Sequence, residues 1–171
     1  STIYFGEMTM KEILGDQSVI FIPNSNFKSA AGASFDNWKL STDIENTTQK
    51  MDPEGYNGSK SPMLVKPGAG QFIMLTESEI PVKPDTTYEL SFAAKVKGNQ
   101  GAARYYPGIQ QYSKSDGSFQ GWLFPRIYFG NHDWKIIKVR FTTGPKTDSI
   151  LLQMTLDDLE NGSGIFDQEE T

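Results

Sequence analysis

Hydrophobic and polar residues alternate along most of the second half of the chain, and long helical periodicity is absent. The longest alternating run puts apolar side chains at every second position: Tyr88, Leu90, Phe92, Ala94 and Val96. Two later runs repeat the pattern: Ile137, Val139 and Phe141, and Ile150, Leu152, Met154 and Leu156. Because successive strand residues point to opposite faces, each run predicts a β-strand with one buried face.

Turn-forming residues separate these runs, among them Pro84-Asp85, Asp116-Gly117 and Thr143-Gly144-Pro145. Several strands with one apolar face need an opposing sheet to cover those faces. We therefore predict an all-β chain that folds as a two-sheet antiparallel β-sandwich, or jelly roll.

The first residues show a different pattern. Thr9 is followed three residues later by Glu12, which is the spacing of a helix capping box and predicts one short helical turn. We therefore expect residues 1–17 to be an N-terminal extension or linker, and residues 18–171 to form the jelly-roll domain. The chain opens at Ser1 without a basic n-region, so we expect any signal peptide to have been removed or to lie outside this sequence.

Length and charge narrow the classes of partner. The chain has 171 residues, which fits one domain with a sizeable core. Its formal net charge is −5, which argues against nucleic acid or an anionic membrane as partner and favours a neutral or weakly charged ligand. The absence of cysteine excludes disulfides and thiolate metal sites. No apolar run approaches the roughly 20 residues that span a bilayer.

Aromatic side chains cluster with amide and guanidinium groups between residues 104 and 128. The members are Arg104, Tyr105, Tyr106, Gln110, Gln111, Tyr112, Phe119, Gln120, Trp122, Phe124 and Tyr128. On a β scaffold, such rings can pack on the C–H faces of a sugar while the polar groups bind its hydroxyls. This stretch therefore predicts sugar recognition.

The candidate binding residues of the first strand in this stretch share one parity: Arg104, Tyr106, Gln110 and Tyr112. Ile109 has the other parity and is expected in the core. A bulge at Pro107 and Gly108 would exchange the two sets. Trp122 lies on the next strand, where Phe119 has the opposite parity. We expect Trp122 and the two tyrosines to stack on sugar rings, and the guanidinium and amide groups to hydrogen-bond to hydroxyls.

Several local patterns follow the order of one known family. They are Asn24-Ser25-Asn26-Phe27, Trp38, Gly58-Ser59-Lys60-Ser61, the stretch from Val82 to Phe92, Trp134 with Val139, Phe141 and Thr142, and Gly164-Ile165-Phe166-Asp167. In this order the chain resembles carbohydrate-binding modules of the galactose-binding-like jelly-roll superfamily, particularly those found beside xylanases and glucanases. The resemblance covers nearly the whole chain, with Asp85 in place of a usual glycine.

The resemblance implies a noncatalytic domain of an extracellular or cell-surface protein. Related modules bind a polysaccharide chain on their concave sheet and bring an attached carbohydrate-active enzyme to its substrate, so a flanking catalytic domain is expected. The resemblance also implies that Trp38 and Trp134 are structural residues packed in the interior.

The resemblance implies calcium as a candidate structural cofactor, because related modules often hold Ca²⁺ through oxygen ligands. It places Asp167 at the ligand position of the closing strand. Lys28 stands where an acid is common, and Gln168 replaces a second aspartate, so the site would carry less negative charge than usual. An ordinary hydrogen bond from Asp167 to a turn is the alternative.

Two other functions remain open. A structural or protein-interaction jelly roll of a larger extracellular protein is the main alternative, because the superfamily hosts such domains. A small hydrolase is the third, but no phosphate-binding loop, zinc spacing or nucleophile elbow occurs, and we expect no enzymatic activity. His132 lacks a placed nucleophile and is assigned to a loop. Asp157, Asp158 and Glu160 are interpreted as a solvated acidic loop.

Overall fold

The structure is a computed structural model that describes residues 2–14, 17–27, 30–31, 34–42, 48–52, 56, 61–65, 70–97 and 103–158. Within these residues the chain forms fifteen β-strands: β1 (Thr2–Glu12), β2 (Val19–Ile20), β3 (Ala30–Ala31), β4 (Ser34–Phe35), β5 (Trp38–Thr42), β6 (Thr48–Asp52), β7 (Ser61–Val65), β8 (Gly70–Thr76), β9 (Ile80–Pro81), β10 (Thr87–Lys97), β11 (Ala103–Tyr112), β12 (Phe119–Leu123), β13 (Tyr128–Phe129), β14 (His132–Thr142) and β15 (Ser149–Asp158). None of the described residues forms a helix long and apolar enough to cross a membrane.

The longer strands belong to two antiparallel sheets. The first, here the β1 sheet, has the order β14-β10-β1-β7-β6, with β2 beside β1. The second, here the β11 sheet, has the order β12-β11-β15-β8-β5, with β13 beside β11 and β9 beside β15. The predicted all-β, two-sheet antiparallel sandwich is confirmed.

Apolar residues of the two sheets meet in one core. The β1 sheet contributes Ile3, Phe5, Met8, Met10, Tyr88, Leu90, Phe92, Ala94, Val96, Ile137, Val139 and Phe141. The β11 sheet contributes Tyr105, Ile109, Met74, Ile150, Leu152, Met154 and Leu156. Each of the three alternating runs seen in the sequence therefore supplies one inward face, as period-two patterning requires.

The N-terminal segment is part of the sandwich, which corrects the predicted extension at residues 1–17 and domain start at residue 18. β1 lies between β10 and β7. The predicted helical turn at Thr9–Glu12 is also wrong, since these residues pair with β10. The register shifts between Gly6 and Thr9, and Glu7 has a φ of 34°. Because of this bulge, the side chains that face the core occupy odd positions before it and even positions after it. The alternating pattern of a strand is therefore interrupted in the sequence.

The two tryptophans expected in the interior differ. Trp38 is 4% exposed, packs on Phe27 with ring centroids 5.1 Å apart, and donates its indole N–H to the carbonyl oxygen of Asn24 at 3.2 Å. Its structural role is confirmed. Trp134 is partly exposed, and its ring meets Tyr4 on the outer face of the β1 sheet, with centroids 6.2 Å apart. The prediction of an interior Trp134 is wrong.

Candidate functional site

The candidate residues of β11 lie on the face of the β11 sheet that points away from the core. Tyr105 and Ile109 belong to the core, so the alternate residues face outward, as predicted. The paired strand β15 adds its own polar outward residues to this face, at positions that alternate with its core residues: Gln153, Thr155 and Asp157. The outer face of the β11 sheet therefore carries a polar layer above an apolar core.

Arg104 and Tyr106 are held by Asp157. Arg104 Nε lies 2.5 Å from Asp157 Oδ1, and Nη2 lies 3.3 Å from Oδ2. The Tyr106 hydroxyl donates to Asp157 Oδ2 at 2.5 Å. The exposed fractions are 4% for Arg104, 2% for Tyr106 and 3% for Asp157. The guanidinium and the carboxylate therefore neutralise each other out of contact with solvent.

These positions correct three expectations. Arg104 and Tyr106 are too buried to touch a sugar directly, so they support the face instead of contacting a ligand. Asp157 belongs to β15 and not to a solvated loop. The signal was present in the sequence, because Asp157 continues the outward parity of Gln153 and Thr155. The neighbouring acids Asp158 and Glu160 concealed that signal by resembling a charged loop.

The amides of this face form an ordered hydrogen-bonded row. Tyr112 donates its hydroxyl to Gln110 Oε1 at 2.9 Å, and Gln110 Nε2 donates to Gln153 Oε1 at 2.7 Å. Gln153 Nε2 in turn donates to Thr155 Oγ1 at 3.1 Å. Gln110 and Tyr112 are partly exposed, whereas Gln153 and Thr155 are buried. The row therefore presents two of the predicted binding residues in fixed orientations.

Exposed rings stand beside this row. Trp122 pairs directly with Gln110 and is 55% exposed. Phe119 is 44% exposed, and its ring centroid lies 4.7 Å from that of Trp122 and 5.5 Å from that of Tyr112. We call Tyr112, Phe119 and Trp122 the aromatic platform.

Phe119 joins this platform through a bulge that simple alternation does not reveal. The β11–β12 register shifts between Gln111 and Tyr112, so Phe119 pairs with Tyr112. Gly121, at φ 109°, adopts the backbone geometry that the bulge needs. Phe119 is therefore placed beside Trp122, although sequence parity assigned the two residues to opposite faces.

The segment after β12 folds back over the same face. The Phe124 ring meets Tyr106 edge-on, with centroids 5.6 Å apart. A Cβ atom at Gly108 would lie 3.0 Å from Phe124 Cε1 and 2.8 Å from Gln153 Cγ. Glycine is therefore required for this close approach. Phe124 was part of the aromatic stretch in the sequence, but its position over Gly108 depends on the loop path.

His132 lies in β14 and not in a loop, next to the buried Tyr105. The Tyr105 hydroxyl contacts His132 Nε2, while His132 Nδ1 lies 2.8 Å from the carbonyl oxygen of Asp133. Since a carbonyl only accepts, Nδ1 carries the proton and Nε2 accepts from the tyrosine. Burial lowers the pKa of His132 and raises the pKa of Tyr105 well above its usual range. Burial also raises the pKa of Tyr128, which stacks on Tyr105, to about 12.

The calcium expectation stays a prediction, because Asp167, Lys28 and Gln168 lie outside the described residues. In the opening loop, the carbonyl oxygen of Asn24 accepts hydrogen bonds from Trp38 and from the backbone N–H of Phe27. The carbonyl oxygen of Ser25 accepts from the backbone N–H of Met8 at 2.8 Å. These two oxygens are therefore already engaged. Within the part of the chain that the structure describes, no three acidic or histidine side chains are grouped to hold a metal.

A family model described as a carbohydrate binding domain matches residues 21–159. The chain belongs to this carbohydrate-binding domain family. The resemblance identified from the sequence motifs is thereby confirmed, and with it the polysaccharide-binding class. No curated protein sequence matches this carbohydrate-binding domain significantly.

Solved structures share the fold of this carbohydrate-binding domain. The enzymatically active domain of bacteriophage CBA120 tailspike protein 4 matches with a TM-score of 0.55 and 18% identity over 72% of this chain. The CBM22-1 and GH10 modules of Clostridium thermocellum endo-1,4-β-D-xylanase 10B, complexed with xylohexaose, match with a TM-score of 0.51 and 15% identity over 72% of this chain. The matches cover 18% and 24% of those chains, so the domain corresponds to a small part of each.

Proposed function

We propose that this domain binds a polysaccharide chain on the outer face of the β11 sheet, through the aromatic platform and the amide of Gln110. The observation that carries the proposal is the pair of exposed rings, Trp122 and Phe119, beside a hydrogen-bonded amide row. Contiguous exposed apolar side chains often mark a ligand-binding or interaction site. Rings that flank oriented polar groups match the alternating C–H faces and hydroxyls of a sugar.

The charges beside the aromatic platform, on β11 and β15, favour a neutral ligand. The guanidinium of Arg104 and the carboxylate of Asp157 are paired and buried, so neither presents net charge to solvent. Gln110 and Tyr112 offer uncharged donors and acceptors. We therefore assign this face to a neutral polysaccharide. The affinity should be modest, roughly millimolar to micromolar, because binding orders a flexible, solvated chain.

In the proposed role, the domain is noncatalytic and holds an attached carbohydrate-active enzyme near its substrate, outside the cell or at its surface. Family membership supports this role. It is also supported by the xylanase described above, in which a similarly folded module accompanies a GH10 module. Calcium, with Asp167 as one ligand, remains a proposed structural cofactor.

Native affinity electrophoresis tests the proposal. The protein is run in gels that contain soluble xylan, mixed-linkage β-glucan or mannan, each with Ca²⁺ and with a chelator. Retardation by at least one polymer, lost in Trp122→Ala, is expected. Phe21→Ala is the matched control, because Phe21 is an aromatic residue 80% exposed elsewhere on the surface. Absence of retardation in every gel, or equal loss in both variants, would overturn the proposal.

A protein-interaction domain is the second candidate, and one observation favours it. Leu14, Val19 and Phe21 are 73%, 77% and 80% exposed and lie close together in sequence around β2. Exposed apolar groups of this kind occur at protein interfaces. If the domain binds none of the polysaccharides but self-associates or binds a flanking domain through Phe21, protein interaction replaces polysaccharide binding as the proposed function.

A further inference from the structure

The outer face of the β1 sheet, opposite the proposed platform, carries its own cluster of aromatic and basic side chains. Tyr4 and Lys95 are directly paired on β1 and β10, and both alternate with core residues, so both point outward. Trp134 lies 6.2 Å from Tyr4 and 5.4 Å from Tyr56, measured between ring centroids. All four side chains are partly exposed. We call the three rings at this end of the face, Tyr4, Tyr56 and Trp134, the aromatic wall, and it is open to solvent.

The aromatic wall holds a lysine ammonium in place. Lys95 Nζ lies 4.3 Å from the ring centroid of Tyr4 and 5.3 Å from that of Trp134, within cation–π range. Within the described residues, no carboxylate lies within ion-pair distance of Lys95. The adjacent Asp133 carboxylate instead accepts the backbone N–H of Trp134 at 2.7 Å. Among the side chains that the structure describes, the rings of Tyr4 and Trp134 therefore position this ammonium, and no carboxylate neutralises it.

A groove of about 290 Å³ lies further along the same face. Its polar lining residues are Thr9, Lys11, Glu89, Ser91 and Lys138. Lys138 pairs with Ser91, which is four residues from Lys95 on β10 and therefore about 13 Å away along the strand. The exposed Ile136 lies between the two ends. Only an extended ligand can reach both ammonium groups.

Among the side chains that the structure describes on β1, β10 and β14, this face carries an excess of positive charge, although the chain as a whole is negative. The cations that these three strands place on the face are Lys11, Lys95, Lys138 and Arg140, and the described carboxylate among them is that of Glu89, shared by Lys11 at 3.9 Å and Arg140 at 3.4 Å. Exposed flanking residues add two acids and two lysines: Glu7, Asp133, Lys97 and Lys135. These four charges cancel, so the excess of positive charge on the face is unchanged. With a Debye length of about 8 Å at physiological ionic strength, these local charges outweigh the net charge of −5 for a bound ligand.

We infer that this face is a second glycan site, and that its ligand is an acidic polysaccharide whose sugars carry carboxylates. Lys95 and Lys138 each meet a carboxylate along an extended chain. The aromatic wall packs against one sugar, and the hydroxyls of Thr9 and Ser91 bind another within the groove. The site is independent of the neutral ligand proposed for the β11 sheet, because the two faces lie on opposite sides of the core.

Two polymers with one backbone test the inference: polygalacturonate and its fully methyl-esterified form, which lacks the charge. In native affinity electrophoresis without divalent cations, polygalacturonate should retard the protein and the ester should not. Lys138→Gln should weaken binding about twofold to fivefold, and the double variant Lys95→Gln, Lys138→Gln should weaken it further. Lys146→Gln, the same change at an exposed turn away from this face, should have no effect. Trp122→Ala should retain binding to polygalacturonate.

Three outcomes would overturn the inference: no retardation by polygalacturonate, equal retardation by both polymers, or equal effects of Lys138→Gln and Lys146→Gln. Thermal unfolding of each variant shows whether the fold is kept, and these exposed lysines should leave it intact. Failure of the neutral-ligand proposal gives a different result, since it removes retardation by xylan, β-glucan and mannan while leaving the polygalacturonate experiment unaffected.

Discussion

The side-chain amide of Gln110 donates to the side-chain oxygen of Gln153 across the β11–β15 pairing, with Nε2 and Oε1 2.7 Å apart. Tyr112 donates to the other end of the same amide, so Gln110 is oriented before any ligand arrives. One N–H and one lone pair of the Gln110 amide remain for a sugar hydroxyl. Orientation in advance lowers the entropy cost of binding, and this is how the buried layer of the β11 sheet supports its exposed platform.

Trp122→Ala should weaken binding of the neutral polysaccharide by about 1 to 2 kcal/mol, roughly fivefold to thirtyfold, because the exposed ring contributes contact area and stacking to the ligand. The free energy of unfolding should change by less than about 0.5 kcal/mol, as expected for an exposed position. Isothermal titration calorimetry and urea unfolding measure the two effects. A large loss of stability with unchanged affinity would identify Trp122 as a packing residue.

Asp157→Asn should destabilise the fold by about 3 to 5 kcal/mol, because it removes the carboxylate that pairs with the buried guanidinium of Arg104. Urea unfolding followed by tryptophan fluorescence measures the change. Asp85→Asn is the matched control, because Asp85 is exposed and its φ of 49° is a conformation that asparagine tolerates. The free energy of unfolding of this variant should be nearly unchanged. Similar unfolding midpoints for the two variants would contradict the buried ion pair.

Gly108→Ala should cost about 1 to 3 kcal/mol of stability, because the new methyl group would collide with Gln153 and Phe124. Gln153 cannot move away freely, since it is hydrogen-bonded to Gln110 and Thr155. Gly144→Ala is the control, because the nearest atom to its Cβ would be 3.5 Å away. Thermal unfolding should separate the two variants, and binding by Gly108→Ala should weaken as well. Equal melting temperatures would show that the face is less closely packed.

Stability should fall as the pH drops below the ordinary histidine pKa of 6.5, and His132 should account for part of that loss. Burial favours neutral His132 and lowers its folded-state pKa, so its contribution is fully present above 6.5 and is lost as the pH falls through the lowered value. Urea unfolding at several pH values, compared with His132→Gln, isolates this part. A variant with the same pH dependence as the natural protein would exclude His132 as its source.

Local pattern was enough to predict the strands and the class of fold. Each alternating run, in residues 88–96, 137–141 and 150–156, has one buried face, and the alternation that predicts this face is visible in consecutive residues. The candidate stretch and the outward parity of Gln110 and Tyr112 were predicted for the same reason. The position of Trp122 beside this strand was predictable because Trp122 pairs with Gln110 across a short hairpin that the Asp116-Gly117 turn signals.

The other features of the fold and of the site could not be predicted, because they depend on contacts between residues distant in the chain or on bulges that interrupt the alternating pattern. The bulges at Glu7 and Gly121 shift parity, so β1 was mistaken for an extension and Phe119 was assigned to the wrong face. Arg104 meets Asp157 across 53 positions, and no local signal reveals that each neutralises the other. The sequence by itself therefore determined the alternating strands and the aromatic stretch for which we propose binding. Only the tertiary structure decided which of its polar and aromatic groups are buried supports and which reach solvent, because burial is set by the packing of strands far apart in sequence.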